Sequence, residues 1–191
     1  MVVMDLNGDG KPDIVSSYGP TVWFGLGNGN FQSAKSYAQF ESCIYKDMDG
    51  DGHADAVCGA TVLTDGSVGP GDTDGETRLA ILHGNADGSF NPTPVYTKDF
   101  GDQTPGSGDF INPIAVADVN GDGTPDLLTF TTDGFSVMLG RPGGKTDFSN
   151  PTHYAVGSFG NVGQTSTAFA DLNGDGIVDI ASSGPNGIYL T

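Results

Sequence analysis

The sequence predicts an all-β chain made of β-propeller blades, each a sheet of four antiparallel strands. Three observations predict it: an acidic nine-residue segment recurs four times, short apolar runs flank every copy in a fixed order, and turn-forming residues separate the runs. Of 191 residues, 31 are Gly and 11 are Pro, together about a fifth of the chain against the ~12% of ordinary usage. No Gly-X-Y period runs through them, and apolar residues never hold helical spacing for long.

The recurring segment reads Asp5-Leu-Asn7-Gly-Asp9-Gly-Lys11-Pro-Asp13, Asp47-Met-Asp49-Gly-Asp51-Gly-His53-Ala-Asp55, Asp118-Val-Asn120-Gly-Asp122-Gly-Thr124-Pro-Asp126 and Asp171-Leu-Asn173-Gly-Asp175-Gly-Ile177-Val-Asp179. Positions 1, 3, 5 and 9 are always Asp or Asn, and positions 4 and 6 are always Gly. A first apolar run precedes each copy: Val2–Met4, Cys43–Tyr45, Ile114–Ala117 and Ala168–Ala170. A second follows it at Ile14–Val15, Ala56–Cys58, Leu127–Leu128 and Ile180–Ala181, and a third at Thr21–Phe24, Leu79–Leu82, Ser136–Leu139 and Ile188–Leu190. The first three units go on through Gly-rich turns ending at Phe31, Phe90 and Phe148 to a fourth run, around Ser36–Ala38, Pro94–Tyr96 and His153–Val156. Runs this short, bounded by Gly, Asn, Asp and Pro, read as strands.

The copies start 42, 71 and 53 residues apart, the ~40–50 of a propeller blade plus insertions. A lone sheet of this size cannot bury both faces, whereas blades stacked radially bury them against each other. The expected blades are 1–40, 41–100, 101–157 and 158–191, the last lacking its outer strand, in a single propeller or a segment of one.

The charge is lopsided, with 24 acids against 7 Lys and Arg for a formal −17, which repels nucleic acid and anionic lipid. No apolar run reaches the ~18–20 residues of a membrane-spanning helix, and from Met1 no charged stretch followed by an apolar core marks a signal peptide. The four segments hold 13 of the acids, so the charge is concentrated where a cation would sit. Oxygen side chains at positions 1, 3 and 5, a Gly at 6 for the sharp turn and a backbone carbonyl at 7 follow the logic of the EF-hand calcium loop. There a bidentate Glu at position 12 closes the site; here position 12 holds Ser16, Cys58, Thr129 and Ser182, and Asp stands at position 9. The loop therefore closes three residues early and leads into a strand. An oxygen-only set suits Ca²⁺ better than Zn²⁺, which wants His and Cys, or Mg²⁺, which wants strict octahedra. One such loop is an ordinary turn; four with identical ligand positions predict up to four calcium ions.

Asp-x-Asn-Gly-Asp-Gly-x-x-Asp between two short strands resembles the FG-GAP/VCBS repeat, the blade of integrin α-subunit-type propellers. Tyr18-Gly19-Pro20 and Ser183-Gly184-Pro185 fall where that family carries Gly-Ala-Pro; the middle two units depart from it. The resemblance implies calcium ligands at Asp5, Asn7, Asp9, the Lys11 carbonyl and Asp13; at Asp47, Asp49, Asp51, the His53 carbonyl and Asp55; at Asp118, Asn120, Asp122, the Thr124 carbonyl and Asp126; and at Asp171, Asn173, Asp175, the Ile177 carbonyl and Asp179. It implies an extracellular or cell-surface setting and roles in adhesion, carbohydrate binding or scaffolding.

Cys43 and Cys58 bracket the second segment nearly opposite each other on one hairpin, placed either for a disulfide or as two buried apolar thiols. Insertions at Thr64–Thr77 and Asp99–Asn112 carry Asp72, Asp74, Asp102 and Asp109; long loops on a rigid scaffold are candidate ligand sites, or simply solvated excursions. His83 and His153 read as isolated, structural histidines. The favoured function is a non-catalytic binding or adhesion module with a glycan or extracellular protein as partner. The alternatives are a building block that self-assembles, or is completed by the rest of a longer chain, through the unfinished blade, and the propeller portion of a polysaccharide-active enzyme.

Overall fold

The computed structural model describes residues 1–37, 40, 42–62, 76–99, 112–130, 134–141, 147–155, 167–174, 179–184 and 187–190. Among them are fifteen strands and no helix. The first sheet runs β1 (Val2–Met4), β2 (Asp13–Val15), β3 (Thr21–Trp23), β4 (Lys35–Ser36), and the second β5 (Cys43–Lys46), β6 (Asp55–Val62), β7 (Glu76–Leu82), β8 (Tyr96–Asp99). The third runs β9 (Asn112–Ala117), β10 (Asp126–Phe130), β11 (Gly134–Met138), β12 (Thr152–Ala155), and the fourth has three strands, β13 (Thr167–Ala170), β14 (Asp179–Gly184) and β15 (Gly187–Leu190). Every sheet is a meander in chain order, with antiparallel register such as Val3↔Ile14, Cys43↔Cys58 and Phe169↔Ile180. These are propeller blades, and each acidic segment joins the first strand of its blade to the second.

Two compact units divide the chain, Met1–Pro113 and Ile114–Thr191. In the first unit the two sheets share a core: Leu6, Val15, Val22 and Phe40 pack with Cys43, Ala56, Cys58, Ala80, Leu82 and Phe90. Strands of two to four residues cannot hold themselves, but each such apolar side chain contributes ~1.5–3 kcal/mol on burial. Polar bonds reinforce the seam. The Tyr45 hydroxyl donates to the Ser16 carbonyl at 2.7 Å, and the Cys43 N–H donates to the Ser17 carbonyl at 2.8 Å. The Phe90 N–H donates to the Tyr37 hydroxyl at 2.8 Å, and the two rings meet edge-on at 5.5 Å. Gly88 presses its bare Cα there, since a Cβ would lie 2.6 Å from a Phe24 ring carbon. In the second unit Leu128, Phe135 and Val137 cluster on one face of the third sheet, and Leu127 and Met138 are fully buried as well.

Two strands differ from expectation. The β6–β7 hairpin extends to Val62↔Glu76, where Glu76, Thr77 and Arg78 on the β7 side give no apolar signal. β8 begins at Tyr96 rather than Pro94, because Pro has no N–H to donate; Val95 makes the entering bond, to the Ile81 carbonyl at 2.9 Å. Both insertions lie outside the described residues except at their strand ends, and Asp72, Asp74, Asp102 and Asp109 lie outside them entirely.

Candidate metal centre

Each acidic loop is built around its first Asp. Asp5 Oδ1 accepts the N–H groups of Gly8 (2.8 Å) and Asp9 (3.2 Å), and its Oδ2 accepts that of Gly10 (2.8 Å). Asp118 takes Gly121, Asp122 and Gly123 in the same way, Asp47 takes Gly50 and Gly52, and Asp171 takes Gly174. Curling three N–H groups toward one carboxylate forces positive φ at positions 4 and 6, +71° at Gly8 and +77° at Gly10, where a Cβ is disfavoured. A staircase of side-chain turns continues inward. Position 3 accepts from the N–H of position 5, as in Asp51 to Asp49 at 3.2 Å, and position 5 accepts from position 7, as in His53 to Asp51 at 2.8 Å. Each of these two carboxylates uses its Oδ1 in this way.

The Asp at position 9 has a job its spacing did not reveal. Asp13 is fully buried; its Oδ2 accepts the Leu6 N–H (2.9 Å) and its Oδ1 the Gly25 N–H (2.8 Å). Asp55 brackets Met48 and Gly84, Asp126 brackets Val119 and Gly140, and Asp179 takes Leu172. Gly25, Gly84 and Gly140 follow the third strand of their blades, so this carboxylate ties the loop to the far side of the sheet. The approach is too close for a side chain: a Cβ on Gly84 would lie 2.2 Å from the Ala54 carbonyl oxygen. Burial raises the carboxyl pKa of Asp55 and of Asp126 above the usual 3.8.

The loops diverge in their contents. In the first, the Lys11 ammonium lies 3.0 Å from Asp9 Oδ2 and its hydrogen bonds lower the Asp9 pKa. In the third, the Asn120 amide donates to Asp122 Oδ2 at 3.0 Å, while the Thr124 N–H lowers the Asp122 pKa. In the second, Asp47, Asp49 and Asp51 each offer an oxygen, all within 4.8 Å of one another. Two oxygens on one Ca²⁺, at ~2.3–2.6 Å each, can be no more than about 5 Å apart, so this donor set fits the ion. In the fourth loop Asp171, Asn173 and Asp179 are described, whereas Asp175 and Ile177 lie outside the described residues.

His83 is not isolated. Its Nδ1 lies 3.3 Å from Asp49 Oδ2 and 3.4 Å from Asp55 Oδ1, and its Nε2 lies 3.6 Å from Asp51 Oδ2. The sequence does hold a signal for this: Phe24, His83 and Leu139 each stand directly before the glycine that the position-9 Asp holds. Cys43 and Cys58 form a disulfide across the strands flanking the same loop, with Cα atoms 4.1 Å apart. A cleft of about 380 Å³ opens between the first and second loops, lined by Met4, Asp5, Asn7, Tyr45, Asp47 and His53 among others. No helix among the described residues is long and apolar enough to cross a membrane.

A family model described as an FG-GAP-like repeat matches the chain over residues 5–58, 47–129 and 118–182. Each match runs from one acidic loop into the second strand of the following blade. No curated protein matches. Among solved structures, the chain is similar to an Agrocybe aegerita lectin described by its specific recognition of non-reducing terminal N-acetylglucosamine, at 22% identity and a TM-score of 0.42. That similarity covers 99% of this chain but 61% of the lectin chain, so the chain spans less than two thirds of that structure. At this TM-score it carries neither fold nor ligand across.

Proposed function

The chain belongs to the FG-GAP-like repeat family, and from that premise we propose that it is a calcium-binding, non-catalytic binding module that works outside the cell. The observation that carries the reading is the convergence of Asp47, Asp49 and Asp51 at ion-sized separations, on a loop whose pattern the chain repeats four times. Asp5, Asn7 and Asp9, Asp118, Asn120 and Asp122, and Asp171, Asn173 and Asp175 would hold the other ions, with the carbonyls at position 7 and the Asp at position 9 completing each set. Bound calcium supplies positive charge that cancels the repulsion among these carboxylates. The Asp5, Asp47 and Asp118 carboxylates hold their loops curled through backbone N–H groups, so the ion enters a shaped site. The Cys43–Cys58 disulfide supports an oxidising, extracellular setting. Binding rather than catalysis is favoured because the loop carboxylates are committed to backbone N–H groups and to cations. The cleft between the first two loops is the place we assign to a glycan or a protein side chain.

Calorimetric titration of calcium into metal-stripped protein, paired with thermal melts, tests this. Each calcium bound should stabilise the fold by ~2.7 kcal/mol at a hundredfold excess over Kd, and glycans or protein partners should be retained only with calcium present. No heat together with an unchanged melt overturns the calcium reading.

A further inference from the structure

The second loop departs from its sisters at two positions that touch each other. Position 3 is Asn in the first, third and fourth loops (Asn7, Asn120, Asn173) and Asp49 here; the residue before the locking glycine is Phe24 or Leu139 in the neighbouring repeats and His83 here. The departures lie 34 residues apart in sequence yet meet at 3.3 Å. We propose that this loop is a mixed histidine–carboxylate site for a borderline divalent transition ion, held by His83 Nδ1, Asp49 Oδ2 and Asp55 Oδ1, with zinc as the ion to test.

The spacing supports the assignment. Two ligands sharing a tetrahedral Zn²⁺ at ~2.0–2.1 Å lie ~3.3–3.4 Å apart, and His83 Nδ1 stands 3.3 and 3.4 Å from the two carboxylate oxygens. Those separations are long for charge-assisted hydrogen bonds, which run ~2.7–2.9 Å. The opposite ring nitrogen faces Asp51 Oδ2 at 3.6 Å, beyond hydrogen-bond distance, so a carboxylate stands on that side of the ring as well. Imidazole nitrogen shifts a site's preference from calcium toward zinc and its neighbours. The apolar Phe24 and Leu139 offer the first and third loops no such ligand. His83 is one-third exposed, so an ion can reach it. The site shares Asp49 and Asp55 with the all-oxygen cage proposed for calcium in this same loop, so zinc competes with calcium here and not in the sister loops. The assignment rests on the same reading of these loops as cation sites.

The test uses the whole, tag-free chain stripped of metal. Zinc alone is titrated with and without millimolar calcium, while the ring nitrogens of His53, His83 and His153 are followed by NMR. The expected result is one zinc ion per chain, a ring-nitrogen shift confined to His83, and persistence of that shift in calcium. H83L, which installs the residue of the third repeat, should weaken zinc roughly tenfold or more and leave the calcium titration unchanged. H153Q, at an exposed position of β12 outside every acidic loop, should change neither. Absence of zinc binding, equal binding by H83L, or a shift at His53 or His153 instead would overturn the assignment. If zinc behaves as expected while calcium binds no loop, the zinc site stands and the calcium reading alone fails.

Discussion

In the first loop a lysine ammonium sits 3.0 Å from Asp9, an Asn occupies position 3 and Phe24 directly follows the third strand. In the second, Asp49 and His83 take those last two places, and a disulfide joins the strands on either side. The backbone course is nevertheless the same, because in both loops the first Asp holds the N–H groups of positions 4 and 6 and the ninth Asp holds that of position 2. The contrast separates two functions of one acidic pattern. Positions 1 and 9 hold the frame, whereas positions 3, 5 and 7 and the end of the third strand set charge and ligand type.

The sharpest way to break this comparison is to remove the frame. D13A and D55A each orphan two buried N–H groups at ~1–3 kcal/mol apiece, so urea unfolding in chelator should show losses of about 4 kcal/mol in both. A loss that appears only with calcium present and not in chelator would place the value of the ninth Asp in its cation instead. Next comes the disulfide, which only the second loop has. C43A/C58A, or reduction of the wild type, should cost about 3 kcal/mol for a closed loop of this length, and local hydrogen exchange should rise around the second loop and not the first. The smallest effect concerns contents. K11T gives the first loop the residue of the third and removes an exposed ion pair, so calcium should bind there up to about fivefold more tightly, as read from the Gly8 and Gly10 amide signals. High salt should erase that gain.

Strands and loops were legible because their signals are local. Apolar runs and turn residues lie within a few positions of the elements they define, and all fifteen runs fall on or beside a strand of the structure. The β6–β7 extension was not legible, since Glu76, Thr77 and Arg78 carry no apolar run in the sequence. The partner of the ninth Asp was hidden for another reason. Gly25 lies 12 residues beyond Asp13 while Gly84 lies 29 beyond Asp55, because the hairpin between differs in length, so no fixed spacing betrays the contact.

By itself the sequence determined the four acidic loops, the order of strands around them and the FG-GAP-like family, all of which follow from chemistry repeated along a short stretch of chain. Tertiary structure alone decided that the ninth Asp clasps the end of the third strand and that His83 completes the second loop. Side chains far apart along the chain meet only once a sheet has folded, and the length of the hairpin between them leaves no mark on either residue.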